Sequence, residues 1–89
     1  MQSIWIFNGA GGRFPSGAFT SEETAKKWIL DNKLTGILTE YPLDTGVYEW
    51  AIKSEFFTPT KSKEKSPEFI QKFSCAQQKH FHFENGVLD

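Results

Sequence analysis

Apolar and polar positions change their period several times along the chain, and each change marks an element. Ser3–Asn8 (Ser-Ile-Trp-Ile-Phe-Asn) suits a pleated strand, with Ile4 and Ile6 on one side and Trp5 and Phe7 on the other. A strand that is apolar on both sides is either covered twice or has a second face that meets something else. Asn8–Gly12 (Asn-Gly-Ala-Gly-Gly) is a flexible turn. Arg13–Thr20 carries Phe14, Ala18 and Phe19 but is interrupted by Pro15-Ser16-Gly17. It predicts the short or irregular second strand of a hairpin. Because Pro15 donates no ladder hydrogen bond, that strand belongs at an edge or at a bulge.

From Thr20 the period becomes helical. Thr20 as N-cap with Glu23 three residues on forms a capping box, and Ala25, Trp28, Ile29 and Asn32 make an i, i+3, i+4, i+7 stripe. The helix is expected to reach about Lys33. Leu34–Tyr41 alternates around Ile37, Leu38 and Tyr41 and predicts a strand ended by Pro42. Val47–Phe57 fits both periods: Tyr48, Trp50 and Ile52 alternate, yet Val47/Ala51 and Tyr48/Ile52 are i, i+4 pairs. Ala51 and a cap from Asp44 or Thr45 favour a helix from about Gly46 to Ser54. Thr58–Lys65 is polar, lacks any period and is expected to be the most mobile interior segment.

Ser66-Pro67-Glu68 is a helix start, with Phe69, Ile70 and Phe73 on its inner side and Ala76 extending it. Lys79–Glu84 then alternates as a strand, with Lys79, Phe81 and Phe83 on one face and His80, His82 and Glu84 on the other. Asn85-Gly86 ends that strand, and Val87–Asp89 reads as a tail. The expected order is β-β-α-β-α-α-β. This is an α+β domain with a small antiparallel or mixed sheet of about four strands and helices packed on one face.

At 89 residues the chain makes one domain, 1–89, without internal repeats. Composition adds one unusual feature. Three Trp, two Tyr and nine Phe are more rings than a core this small readily hides, since each buried ring removes about 150–250 Å² from water. Some are therefore expected on a surface that meets a partner, a ligand or a second copy. The net charge of −1, with one arginine, argues against a sequence-independent nucleic-acid binder. A single cysteine excludes an intramolecular disulfide. No apolar stretch approaches a membrane span, and Met1-Gln2-Ser3 runs directly into the first strand without a signal-like segment. A cytoplasmic location is the expectation.

Candidate chemistry is sparse. Gly9–Arg13 follows a strand as phosphate-binding loops do, but Phe14 stands where a third glycine is needed and no helix begins there. A turn that needs positive φ explains it as well. His80 and His82 share a strand face and can chelate, but the sequence supplies no third ligand at a metal-binding spacing, with Glu40 and Asp44 candidates by type alone. No metal site and no cofactor are expected. Cys75, placed late in a helix, reads as a small buried hydrophobe. Glu40, Asp44, Glu49, Glu55 and Glu84 form no distinctive acid–base pair, and Ser16 is no nucleophile elbow. Trp5, Phe7, Tyr41, Tyr48 and Trp50 are the aromatic candidates for a binding surface, with core membership as the alternative.

Several segments together resemble a family of small bacterial single-domain proteins of unknown function. They are Trp5–Gly9, Arg13–Gly17, Leu34–Pro42, Gly46–Ala51, Ser66–Phe73 and His80–Gly86, nearly the whole chain. The resemblance implies a free-standing bacterial domain of the kind carried on mobile, integron-type gene cassettes, and it brings no catalytic residues.

Two expectations follow. The first is a non-catalytic binding or protein-interaction module, self-associating as a homodimer, using the aromatic candidates. The second is a small-molecule-binding protein or minor enzyme, with a pocket near the glycine loop Gly9–Arg13, Glu40–Asp44 and the His80/His82 face.

Overall fold

A computed structural model describes residues 2–89. The strands are β1 (Ser3–Gly9), β2 (Gly17–Phe19), β3 (Gly36–Pro42), β4 (His80–Glu84) and β5 (Val87–Leu88). The helices are α1 (Glu22–Asp31), α2 (Val47–Lys53) and α3 (Pro67–Gln71), with a 3-10 turn at Ser62–Lys65 before α3. The sheet runs β2-β1-β3-β4-β5 and every neighbouring pair is antiparallel. Its centre is the long β1–β3 ladder, in register from Ser3↔Pro42 to Gly9↔Gly36.

The fifth strand corrects the expectation of about four. Asn85 (φ 53°) and Gly86 (φ 85°) both adopt the left-handed region. That is what a two-residue hairpin turn of the primed type requires. The chain therefore doubles back instead of trailing off, and pairs Phe83 with Leu88 and Glu84 with Val87. The short second strand does lie at the edge, as Pro15 demands.

α1 is capped one residue later than expected. Ser21, in extended backbone, accepts the Thr24 N–H at 3.1 Å, and the helix ends at Asp31. Its stripe buries Ala25 and Ile29 against Trp5, Phe7, Leu38 and Phe83. Trp28 meets Phe7 edge-on, with ring centroids 5.6 Å apart, and tilts against Phe19 at 5.2 Å. Phe7, Ile29 and Leu38 are the largest fully buried side chains. Each stabilises the fold by about 1.5–3 kcal/mol relative to exposure. Of the two apolar sides of β1, the one carrying the larger rings faces the helix.

Val47–Lys53 is helical, which resolves the ambiguous segment: Tyr48 and Ala51, three positions apart, are its buried residues. α2 and α3 build a second aromatic cluster from Tyr48, Phe57, Phe69 and Phe73, with centroids between 5.0 and 6.3 Å. None of these rings belongs to the sheet core. The polar segment before α3 is tied to this cluster. Tyr48 Oη donates to the Glu64 carbonyl at 2.8 Å, and the Glu64 carboxylate accepts from the Thr60 and Lys61 N–H groups at 2.9 and 3.0 Å. Ser66 caps α3 through the Phe69 N–H. The helix stops at Gln71, so Ala76 does not extend it, and Cys75 lies in irregular chain rather than late in a helix. Principal extents of 45 × 27 × 20 Å describe a flat, elongated body. The shortest extent suits one sheet and one helix layer, which pack about 10 Å apart.

Candidate interaction surface

Successive side chains of a strand point to opposite faces, so the face turned away from α1 is set by register. The ladders place Ile4 beside Tyr41, Ile6 beside Thr39 and Ala18, and Asn8 beside Ile37. They then place Ile37 beside His82 and Thr39 beside His80, with Val87 opposite Glu84 at the β5 edge. None of these residues is buried. Ile4, Ile6, Thr39 and Tyr41 are half-buried, and the others are exposed. The opposite face, by contrast, carries the buried Trp5, Phe7, Leu38 and Phe83. The open face is aliphatic along β1, mixed on β3 and imidazole-bearing on β4. Its strand residues include no Lys or Arg and one carboxylate, Glu84, at the β5 margin, and Asp89 just beyond β5 lies beside His82.

The His80 and His82 rings are in edge contact, with centroids 5.6 Å apart. His80 Nδ1 lies 2.7 Å from the Gln78 carbonyl. A carbonyl only accepts, so Nδ1 donates, and in the neutral ring the lone pair is then on Nε2. Gln78 is itself buried and fixed. Its amide donates to the Glu40 carbonyl at 3.0 Å and accepts the Cys75 N–H at 3.3 Å. Among the described residues no three His, Cys, Asp or Glu side chains come together as a metal site.

The other candidates separate. Trp5, Phe7 and Tyr48 are buried, which corrects their candidacy for a surface: the first two form the sheet core and Tyr48 anchors the second cluster. Trp50 is half-buried against Phe56 at 5.5 Å. Glu40 is on the α1 side, opposite Trp5, where its carboxylate accepts from the Ser3 hydroxyl. Arg13 is exposed in the β1–β2 loop with its guanidinium over Phe14, 5.6 Å from the ring centroid. Of the aromatic candidates on strands, Tyr41 alone joins His80 and His82 on the open face.

A family model matches residues 4–89, spanning every element from β1 to β5. The chain belongs to the family described as domain of unknown function DUF7710. Nothing among curated proteins or solved structures matches it.

Among the described residues of this DUF7710 domain, two hollows stand out. One, of about 400 Å³, lies at the end of the sheet between Gly9-Ala10, Ile37, His82 and Asp89. It brings the glycine loop and His82 together, but includes neither Arg13 nor Glu40. The larger, of about 610 Å³, is an open groove floored by Phe69 and Phe73 and edged by Lys63 and Lys72. Lys72 is already engaged by Glu68 at 3.3 Å. Among the described residues no helix is long and apolar enough to cross a membrane.

Sequence reasoning overlooked Ile4, Ile6 and Ile37 as surface candidates because it watched the rings. The signal was present in the two-sided apolar pattern of β1. The carboxylate it also overlooked is Glu64, whose pKa is lowered from the ordinary glutamate value by hydrogen bonds from the Thr60 and Lys61 backbone.

Proposed function

We propose that this domain is a non-catalytic protein-interaction module that pairs with a second copy of itself through the open face of its sheet. The observation that carries the reading is that face: it is largely apolar, and none of its residues is buried, while the face beneath α1 holds the core. A two-fold interface buries the same patch on both copies, so each charged side chain on it would be desolvated twice, and one on the axis would meet its own sign. With no Lys or Arg on its strands and its carboxylates, Glu84 and Asp89, confined to the β5 margin, most of this face avoids that cost. Two strands of seven residues and three of five, three and two, at a rise of about 3.3 Å and set about 4.8 Å apart, give a face of roughly 380 Å² per copy. Two such faces reach about 760 Å², below the roughly 1,000 Å² of a stable interface, so the pairing is of the weak, concentration-dependent kind.

Sedimentation velocity over a wide concentration range tests the proposal. The expected result is a concentration-dependent dimer that Ile6→Lys converts to monomer while the circular dichroism spectrum is unchanged. A monomer at all concentrations overturns it.

The hollow beside Gly9 and His82 favours a second reading, a small-molecule-binding protein or minor enzyme. Native mass spectrometry of protein purified without additives decides between them. A reproducible small-molecule adduct supports the second reading, and a bare dimer the first. We place the domain in the bacterial cytoplasm, as a product of the mobile-cassette type, on the strength of its single free cysteine and the sequence resemblance. Fractionation of a bacterium that carries the gene tests that placement, and recovery outside the cytoplasm counts against it.

A further inference from the structure

We infer that His80 and His82 of two paired copies together bind one zinc-like divalent ion, completing a four-imidazole site across the two-fold axis. The inference rests on the pairing proposed above and names what that interface holds. Three observations carry it. The rings lie on the same face with centroids 5.6 Å apart. Two imidazoles on one tetrahedral ion, each nitrogen about 2.0–2.1 Å from the metal, put their centroids about 5 Å apart, so the pair needs little rearrangement.

The His80 tautomer is already set. Nδ1–H points to the carbonyl of buried Gln78, whose side chain is held at both ends, and this leaves Nε2 as the ligand atom. A hydrogen bond of this kind from the non-ligating nitrogen is the usual support of a metal-binding histidine.

The chain itself offers no completion. Among the described residues no third His, Cys, Asp or Glu joins the pair, so a four-coordinate ion there needs ligands from outside. A second copy supplies two more with the same geometry. β4 lies one strand, about 4.8 Å, from the middle strand β3, so an axis beside the histidines still overlaps most of both faces. Facing sheets pack about 10 Å apart, which puts the midplane about 5 Å from each, within reach of an imidazole. An all-nitrogen set of neutral imidazoles suits zinc, nickel or copper rather than magnesium or calcium.

The test uses the full chain, free of any histidine tag and stripped with chelator. Zinc chloride is titrated calorimetrically, and sedimentation velocity is recorded with and without one equivalent of zinc per two chains. The expected result is one zinc per two chains and a dimer dissociation constant lowered at least tenfold. In the double variant His80→Ala/His82→Ala zinc should leave the dimer dissociation constant unaltered, whatever that constant is without zinc. A zinc-free dimer that zinc leaves unaltered overturns this inference and spares the proposed function. One zinc per chain on a monomer overturns the shared site. A monomer in every condition overturns both.

Discussion

Gly36 sits where β3 crosses the end of β1, paired with Gly9. A methyl group there would run into the Asn8 carbonyl, come within 2.7 Å of the Phe7 ring and within 2.9 Å of the Gly9 Cα. Two of those neighbours are backbone and cannot swing aside. Gly36→Ala should therefore destabilise the domain by about 1–3 kcal/mol, as overpacking does. Urea unfolding would show this as a lower midpoint at an unchanged slope; an unchanged midpoint refutes the close packing.

Glu64 yields a prediction about pH. Its folded-state pKa is depressed, so its contribution to stability is present above the unfolded-state value and is lost as pH falls through the folded one. The stability gap between the native chain and Glu64→Gln should be open at pH 7 and narrow progressively below about pH 4.3, the ordinary glutamate value. A gap that is constant with pH excludes the carboxylate as its source.

At this scale the sequence was readable in period but not in side. Alternation in Ser3–Asn8 separates Ile4 and Ile6 from Trp5 and Phe7, but both pairs are apolar. The choice of which pair faces α1 is made by contacts with Ala25, Ile29 and Leu38 far along the chain.

Elements with local capping chemistry were the most legible. α3 starts where Ser66-Pro67 says it should, because the Ser66 hydroxyl accepts the Phe69 N–H at 3.2 Å whatever the rest of the molecule does. α2 was harder. Its N-cap is Gly46, with no side-chain cap, and the deciding force is burial of Tyr48 against Phe73 from a later segment. Tyr48→Phe keeps that ring and removes only the hydroxyl bond to the Glu64 carbonyl. It should cost about 1 kcal/mol in denaturant unfolding. A loss several times larger would mean that the hydroxyl organises the whole 3-10 turn.

β5 was missed although its signal is local. Asn85-Gly86 between alternating residues is a two-residue hairpin turn, and treating it as a terminator hid the last strand. Gly86 is held twice, by its left-handed φ of 85° and by its N–H bond to the Leu34 carbonyl at 2.8 Å. Gly86→Ala should cost about 1–2 kcal/mol from the left-handed conformation alone. Hydrogen exchange should locate the loss at Val87–Asp89 and the end of β4, and uniform loss across the sheet would contradict this.

At the scale of the whole molecule, the surplus of aromatic rings leaves Phe14 and Phe56 exposed, as expected. Two separate clusters absorb most of them: one under α1, the other around Tyr48. The surface proposed for association is the aliphatic and imidazole side of the sheet. That side could not be identified from composition, because its character depends on the register of four ladders. Its poverty in charge leads to a prediction that separates it from an electrostatic docking site. Most of the chain's lysines and acids lie on helices and loops, and the net charge is only −1. Raising sodium chloride from 50 to 500 mM shortens the Debye length from about 14 to about 4 Å, which removes most attraction or repulsion between exposed charges. Pairing through the open face should change less than about threefold over that range. Sodium sulfate at matched ionic strength should tighten it, because excluded salts strengthen apolar burial. A dimer that dissolves in 500 mM sodium chloride would instead be held by charged groups at its rim or elsewhere on the molecule, and the open face would then lose its claim to be the contact.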